Sequence, residues 1–313
     1  MTPIDDLVTL LSLSLTSMTP LLLASTGEIL TEKSGVVNIG LEGIMILSAL
    51  TSAVITHYTG NPYLALLISS TIGLMIGFLM GYLSSYLHSN QIVVGTGINM
   101  LALGVATLML YKLWGEYGGS PSVVKLADLQ IPIGNSILTL KPVSIIAIAL
   151  AIASWYLLEK TTLGLRIRAC GENPHSAEAM GVNVYRTRLL LTGVGGFYTG
   201  LAGSFLVVNW VGFFSREMTS GRGFVALANV SFSNWNPLTA VLGAFLFGFF
   251  EAFATWLSLK VQQVMLPEYL TFLRTSGQSL FKALPYLATL ITVVIIMKKV
   301  KMPRALGKPY IKE

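Results

Sequence analysis

Glu28, Glu32, Lys33, Asn38 and Glu42 crowd into Gly27–Gly43, a stretch with four glycines set between two apolar runs. After Glu42 the chain carries no Asp, Glu, Lys or Arg until Lys112. A carboxylate at the rim of so long an apolar run has two chemistries open to it. It can serve a solute path or a relay, the usual work of ionisable groups inside membranes. It can also be structural, paired with Lys33 or hydrogen-bonded within its own bend. The cost of burying a charge favours the structural role for Glu42. Asn38 and Asn99 divide in the same way, between bonding helix to helix and lining a path. A second polar run holds Asn229, Ser231, Phe232, Ser233 and Trp235. Asn229, Phe232 and Trp235 could stack on and hydrogen-bond to a base or sugar, or Trp235 could anchor the chain at the membrane interface. Glu251 is expected to be paired within the bundle.

Other chemistries find little support. His57, His88 and His175 lack metal-ligand spacing, and Cys170 is the single cysteine, so neither a metal cluster nor an intrachain disulfide is expected. No His/Asp/Glu group converges on a plausible site, which makes a membrane enzyme the weakest reading. No G-x-x-x-x-G-K-[ST] is present, so the chain cannot cradle ATP phosphates in the P-loop manner.

The strongest local pattern lies in Thr162–Tyr185, which reads TLGLRIRACGENPHSAEAMGVNVY. Asn173 before Pro174 is an N-cap and first-turn pair, and Gly181 is a C-terminal stop. The segment between predicts a helix of about two turns, too short to be stable alone in water. It needs a surface to pack on: its own membrane domain if it is an ordinary connection, a partner if it is a docking element.

The elements that position these residues are membrane spans. Of 313 residues, 53% are hydrophobic and 11% charged, where soluble domains carry about 25% charged residues. The net charge of +6 is too small and too scattered for a nucleic-acid surface. Apolar runs of about 20 residues span a bilayer. Three consecutive spans are expected near 36–57, 63–87 and 91–112, and further uncharged runs lie at 7–27, 142–158, 189–215, 223–250 and 283–297. The expected class is an all-α polytopic membrane protein with about 8–10 spanning helices, broken or re-entrant ones included. The N-terminus lacks a positive n-region, so the first run reads as a retained span. Gly196-x-x-x-Gly200, with Gly193 and Gly203 nearby, is a close-packing signature.

More than half of the 20 basic residues fall in 159–188 and in the tail from Lys298. The positive-inside rule puts both in the cytoplasm and 115–141 outside. Two cytoplasmic ends require an even number of crossings between 188 and 298, yet the full-length runs there are 189–211, 238–259 and 283–297. The short run 223–232 is therefore expected to cross or re-enter, and such segments occur where they are buried or line a cavity. Gly27–Gly43 and 223–232 are suggestive of paired interrupted segments around a central path.

The pattern GENP, a short Ala-rich helix and GVNV resembles the cytoplasmic coupling segment of ABC importer permeases of the branched-chain amino acid/ribose/nucleoside group. Ser34–Met45, Gly223–Ala228 with Asn234–Pro237, and Pro303–Tyr310 resemble other stretches of the same group. The likeness covers nearly the whole chain and is nearest to the shorter permease subunit of nucleoside or simple-sugar importers. It departs from the pattern at Asn229 and Ser231–Ser233, within the pathway segment.

This resemblance implies a single permease domain over 1–313, with a coupling loop at about 160–186 and a cytoplasmic tail at about 298–313. It implies alternating access for a nucleoside or simple sugar across the cytoplasmic membrane. The implied partners are ABC ATPase subunits, a second permease subunit (a paralogue, or a second copy of this chain) and an extracellular binding protein, with no nucleic acid. This chain itself would bind no cofactor, ATP and Mg belonging to the ATPases. Glu172, Asn173, Pro174, His175, Ala177, Glu178, Met180 and Gly181 are the expected coupling residues. Asn38, Glu42, Asn99, Asn229, Phe232 and Trp235 are the pathway candidates. An ion-coupled secondary transporter using Glu42 and Glu251 as relays is the competing reading; it has no need of a docking helix in 162–185.

Overall fold

The computed structural model describes residues 3–133, 136–263, 287 and 301–312. Among these, seven helices are long and apolar enough to cross a membrane. In chain order the helices are α1 (Pro3–Lys33), α2 (Leu41–Thr59), α3 (Pro62–Ser85), α4 (Gln91–Trp114), α5 (Pro142–Lys160), α6 (Thr162–Glu172), α7 (Pro174–Ala179), α8 (Val184–Phe205), α9 (Arg222–Phe232) and α10 (Pro237–Gln263). A π-helical turn, Leu206–Val211, extends α8. The expected span at 283–297 lies outside the described residues.

Side-chain caps set many of the boundaries. Asn61 accepts from the amides of Tyr63 and Leu64 ahead of Pro62, and Asn90 and Asn183 cap α4 and α8 in the same way, which satisfies amides that a helix start leaves without partners. The 115–141 connection contains an antiparallel hairpin, β1 (Leu129–Ile133) and β2 (Ser136–Leu140), with Leu129 opposite Leu140. The apolar patterning of the spans gave no hint of it.

Helices α2 and α8 and the second half of α1 form the buried centre, and α3 and α4 carry exposed leucines and methionines on their outer faces. The expected glycine packing is present. A Cβ on Gly196 would collide with the backbone of Gly73 and Gly77 of α3, and one on Gly200 would meet Gly73 Cα at 3.0 Å. Glycines thus face glycines, and the two backbones approach as small residues allow in membranes.

Local contacts sort the helix ends onto two faces. On the first, Arg188 Nε donates to the Ser34 carbonyl (3.1 Å), the Ala305 amide to the Gly171 carbonyl (2.8 Å) and the Lys301 amide to Asn234 Oδ1 (2.9 Å). Tyr185 packs on Tyr86 between α3 and α4. On the opposite face, Lys260 pairs with Asp6 at 2.7 Å, the Thr139 amide donates to Ser12 Oγ at 3.1 Å, and Gly119 bridges to Ser215. The start of α1 therefore lies on the face opposite α6, α7 and the tail.

One expectation needs correction. Residues 27–33 are not irregular but continue α1, and only 34–40 leave the helix. Burial explains this: Glu28 and Glu32 are one turn apart and both nearly inaccessible, so helical backbone is what lets them face the same neighbours. Arg188, within the basic segment 159–188, is 1% exposed and bonds to carbonyls of Ser34 and Lys308.

Candidate coupling and pathway sites

The short helix α7 begins as its sequence dictates. Asn173 Oδ1 accepts from the Ser176 amide at 3.1 Å, and Pro174 occupies the first turn. It ends at Gly181, whose φ of +83° is open to glycine without strain. There the Gly181 amide donates to the Glu178 carbonyl (2.8 Å) and the Val182 amide to Ala177 (3.0 Å), closing the last turn with a reversed chain. The surface that so short a helix requires is its own tail. Ala177 is buried with Cys170, Val184 and Tyr310, and the His175 ring meets Tyr310 edge-on at 5.0 Å. The Tyr310 hydroxyl donates to Glu178, which also pairs with Lys312 at 3.0 Å. Burial pushes the Cys170 thiol pKa up, as expected of an unreactive packing group.

One side of α7 stays uncovered. Glu172, Asn173, His175 and Met180 are exposed, and Met180 is 84% exposed, the highest value among the large apolar side chains described. All eight expected coupling residues thus lie in one capped turn system; Ala177, Glu178 and the ring contact of His175 hold it to the tail, while Glu172, Asn173, Met180 and Gly181 are exposed.

The second site is a polar seam where two interrupted segments meet. After Gly40, α2 starts with Glu42 in its first turn; α9 starts at Arg222. Glu42 Oε1 accepts from the Gly221 amide (2.9 Å) and Oε2 from the Gly223 amide (2.7 Å). One carboxylate thus lies at the amino ends of two helices, where both dipoles favour negative charge. Gly223 is required by proximity, since a Cβ there would sit 2.7 Å from Glu42 Cα. Glu42 does not pair with Lys33; it caps the other broken helix.

Asn38 and Asn99 complete the first break. Asn38 Oδ1 accepts from Gly40 (2.9 Å), while Asn99 donates to the Ile39 carbonyl (3.0 Å) and accepts from Gly43 (2.7 Å). From α1, Glu28 accepts the Asn38 amide at 2.7 Å and Glu32 accepts Trp235 Nε1 at 2.5 Å. Trp235 and Asn234 have φ of +55° and +51°, so the corner from α9 to α10 is backbone-strained. Trp235 is buried, neither a free stacking surface nor an interfacial anchor. Asn229 donates to Ser25 Oγ (2.9 Å) and the Ala240 carbonyl (3.1 Å), and Phe232 packs on Phe247. Arg222 binds Glu251, as expected of that acid, and lies 4.9 Å from the Trp210 ring centre.

The run 222–232 is thus a short, partly buried helix which, with the 212–221 loop, carries the chain from the face of Ser215 to that of Asn234; the span at 283–297, on which the crossing count also rests, lies outside the described residues. The seam is closed by its own hydrogen bonds, and none of the six pathway candidates lines either of two coupling-face clefts, of 430 and 470 Å³. Sequence reasoning gave no role to Glu28, Glu32, Arg222 or Arg188. The spacing of Glu28 and Glu32, four apart in an apolar helix, was the available signal for two of them.

Among the described residues, seven apolar helices, a short broken crossing segment at α9 and a small helix with an exposed side define a polytopic membrane component. The chain belongs to the branched-chain amino acid transport system permease family, whose model matches residues 10–297. It is a multi-pass permease of an ABC importer, a transport component and not an enzyme. Similar proteins include the guanosine ABC transporter permease NupQ of Bacillus subtilis, 34% identical over 98% of this chain and 99% of its own length. The nucleoside ABC transporter permease NupC of Lactococcus lactis is 34% identical over 94% of each chain. The glucose ABC transporter permease TsgC13 of Haloferax volcanii, a name given as putative, is 31% identical over 97% and 98%. These three are ABC permeases, and none is an ion-coupled carrier. No solved structure is significantly similar to the chain.

Proposed function

We propose that this chain is a nucleoside-importing permease subunit whose segment 172–181 faces the cytoplasm and docks on a partner ATPase. The observation that carries the substrate class is the near full-length 34% identity to permeases named for guanosine and nucleosides. A simple sugar is the second reading, supported by the glucose-named relative. ATP and Mg bind the ATPase subunits. A paralogous permease completes the pathway, and an extracellular binding protein delivers the solute.

The exposed face of α7 supports the docking role. Met180 is an apolar knob beyond a stable cap, the type of side chain that fills a partner's hollow. Placement of this face in the cytoplasm is supported by its basic residues. The solute path runs along the Glu42 seam. Buried atoms there have no hydrogen-bond partner among the described residues: Glu28 Oε2, Asn38 Nδ2 and Asn229 Oδ1. Parting of the two interrupted segments offers those atoms to the hydroxyls and base edges of a nucleoside.

The test uses the whole importer in proteoliposomes with its binding protein. Guanosine stimulates ATP hydrolysis and glucose does not; the reverse result makes the chain a sugar permease. Met180→Ser, with Gly insertion after Ala179 as a stronger variant, abolishes the stimulation while the complex stays in the membrane. Unchanged transport in both variants would overturn the coupling assignment.

A further inference from the structure

The 430 Å³ cleft on the coupling face lies between α5–α6 on one side and Gly181 to Val194 on the other. Its wall is largely apolar, with Leu157, Leu163, Leu190 and Val194 along it, and Leu163 and Leu190 are more than half exposed. Arg166 and Arg186 also line it. Both are exposed, and neither has an ion-pair partner among the described residues. Arg168, by contrast, is paired with Glu159 at 3.0 Å. No acidic residue lines the cleft. Two like charges beside one hollow repel each other unless an anion lies between them. An apolar slot with cations at its end calls for a ligand that is anionic at one end and hydrocarbon at the other. Basic pockets between spanning helices near the membrane surface are sites for acidic headgroups.

We propose that an anionic phospholipid binds this cleft, its phosphate against Arg166 and Arg186 and an acyl chain along Leu157, Leu190 and Val194. The position gives it a consequence. Gly181, Val182 and Asn183 join α7 to α8 and form part of the same wall. A lipid seated there touches both the α5–α6 arm and the joint through which α7 moves α8, so occupancy stiffens that joint. The site is separate from the exposed face of α7 and does not depend on the identity of the transported solute.

The experiment is native mass spectrometry of the intact, detergent-solubilised importer, titrated with phosphatidylglycerol or phosphatidylcholine. Phosphatidylglycerol is retained in preference. Arg166→Gln or Arg186→Gln weakens its retention about 5-fold each, and the pair roughly 30-fold. Arg166→Lys/Arg186→Lys restores most of it, which separates charge from misfolding, and Arg216→Gln on the opposite face changes nothing. Equal retention of both lipids, or a double Gln variant that keeps phosphatidylglycerol, overturns the proposal. So does loss of the ATPase subunits from the double Gln variant with lipid retention unchanged, since the cleft is then part of the subunit interface. Failure of the guanosine assay leaves these outcomes readable, because none of them measures transport.

Discussion

The coupling segment and the polar seam are both built from polar residues in short helices, yet they use those residues in opposite ways. In the seam, Glu42, Asn38, Asn99 and Asn229 turn inward and satisfy backbone amides and carbonyls or other buried groups. In α7, Asn173 and Glu178 secure the helix, while Glu172 and Met180 remain uncovered. A break inside a membrane must satisfy every amide it frees, so the seam spends its polar groups on itself. A helix on the membrane surface can leave the same work to water, and its outward groups are free to meet a partner. Substitutions in the seam should therefore be read first in stability, and those in α7 first in coupling.

The largest effect is expected where that contrast is sharpest. Glu42→Ala strips two amides of a charged acceptor, costing roughly 3–5 kcal/mol. Gly223→Ala drives a methyl group into the Glu42 backbone and costs about 1–3 kcal/mol or more, because backbone cannot yield as a side chain can. Thermal unfolding of the solubilised chain measures both. Glu42→Gln, which keeps an acceptor for one amide, falls between Glu42→Ala and the wild type. If Glu42→Ala melts like the wild type, the carboxylate is not what joins the two breaks, and a direct role in solute binding gains ground.

Next comes Trp235→Phe. It keeps an aromatic ring at the strained corner but removes the donor to Glu32, at about 1.5–3 kcal/mol. Glu32→Gln alone weakens the same bond, so the two losses should not add. A double-mutant cycle with a coupling energy near zero would dissociate the corner from α1.

Much of this contrast was legible beforehand, and unevenly. Asn173-Pro174 and Gly181 announce α7 because capping chemistry is local and each residue acts within one turn. The expectation that the short run 223–232 crosses or re-enters came from charge placement and crossing parity, which are properties of the whole chain. Glycines at 193, 196 and 200 signalled a close contact, but the partner glycines on α3 become evident only when the backbones meet. The partner of Glu42 was not legible, since it sits about 180 residues away and is backbone, which leaves no side-chain signature. The burial of Arg188 was not legible for the same reason: its ligands are carbonyls of Ser34 and Lys308. The hairpin at 129–140 is short and lies between two spans, where hydropathy carries little information.

Gly181→Ala tests the coupling side of the comparison. Nothing lies within 4 Å of the added methyl group, so only its φ of +83° resists, at about 1–2 kcal/mol. That penalty falls on the local turn and leaves the unfolding temperature of the membrane core nearly unchanged, while solute-stimulated ATP hydrolysis declines. Gly181→Asn, which tolerates the left-handed region, retains more activity. A fall in core stability matching that of Gly223→Ala would erase the distinction between the two glycines.

The smallest expected effect belongs to Tyr310→Phe. The ring still packs on Ala177 and His175, but the hydroxyl that donates to Glu178 is gone. A single such bond contributes about 0.5–1.5 kcal/mol, and the Lys312 pair with Glu178 that remains is partly exposed and adds little. Amide hydrogen exchange in 174–180 should accelerate roughly 2- to 10-fold by the same energies, with exchange in the seam unchanged. Glu178→Gln, which weakens both contacts at once, should accelerate it further. Equal acceleration in both regions would mean that the tail stabilises the fold as a whole; acceleration confined to α7 shows the tail to be the surface that this helix was too short to do without.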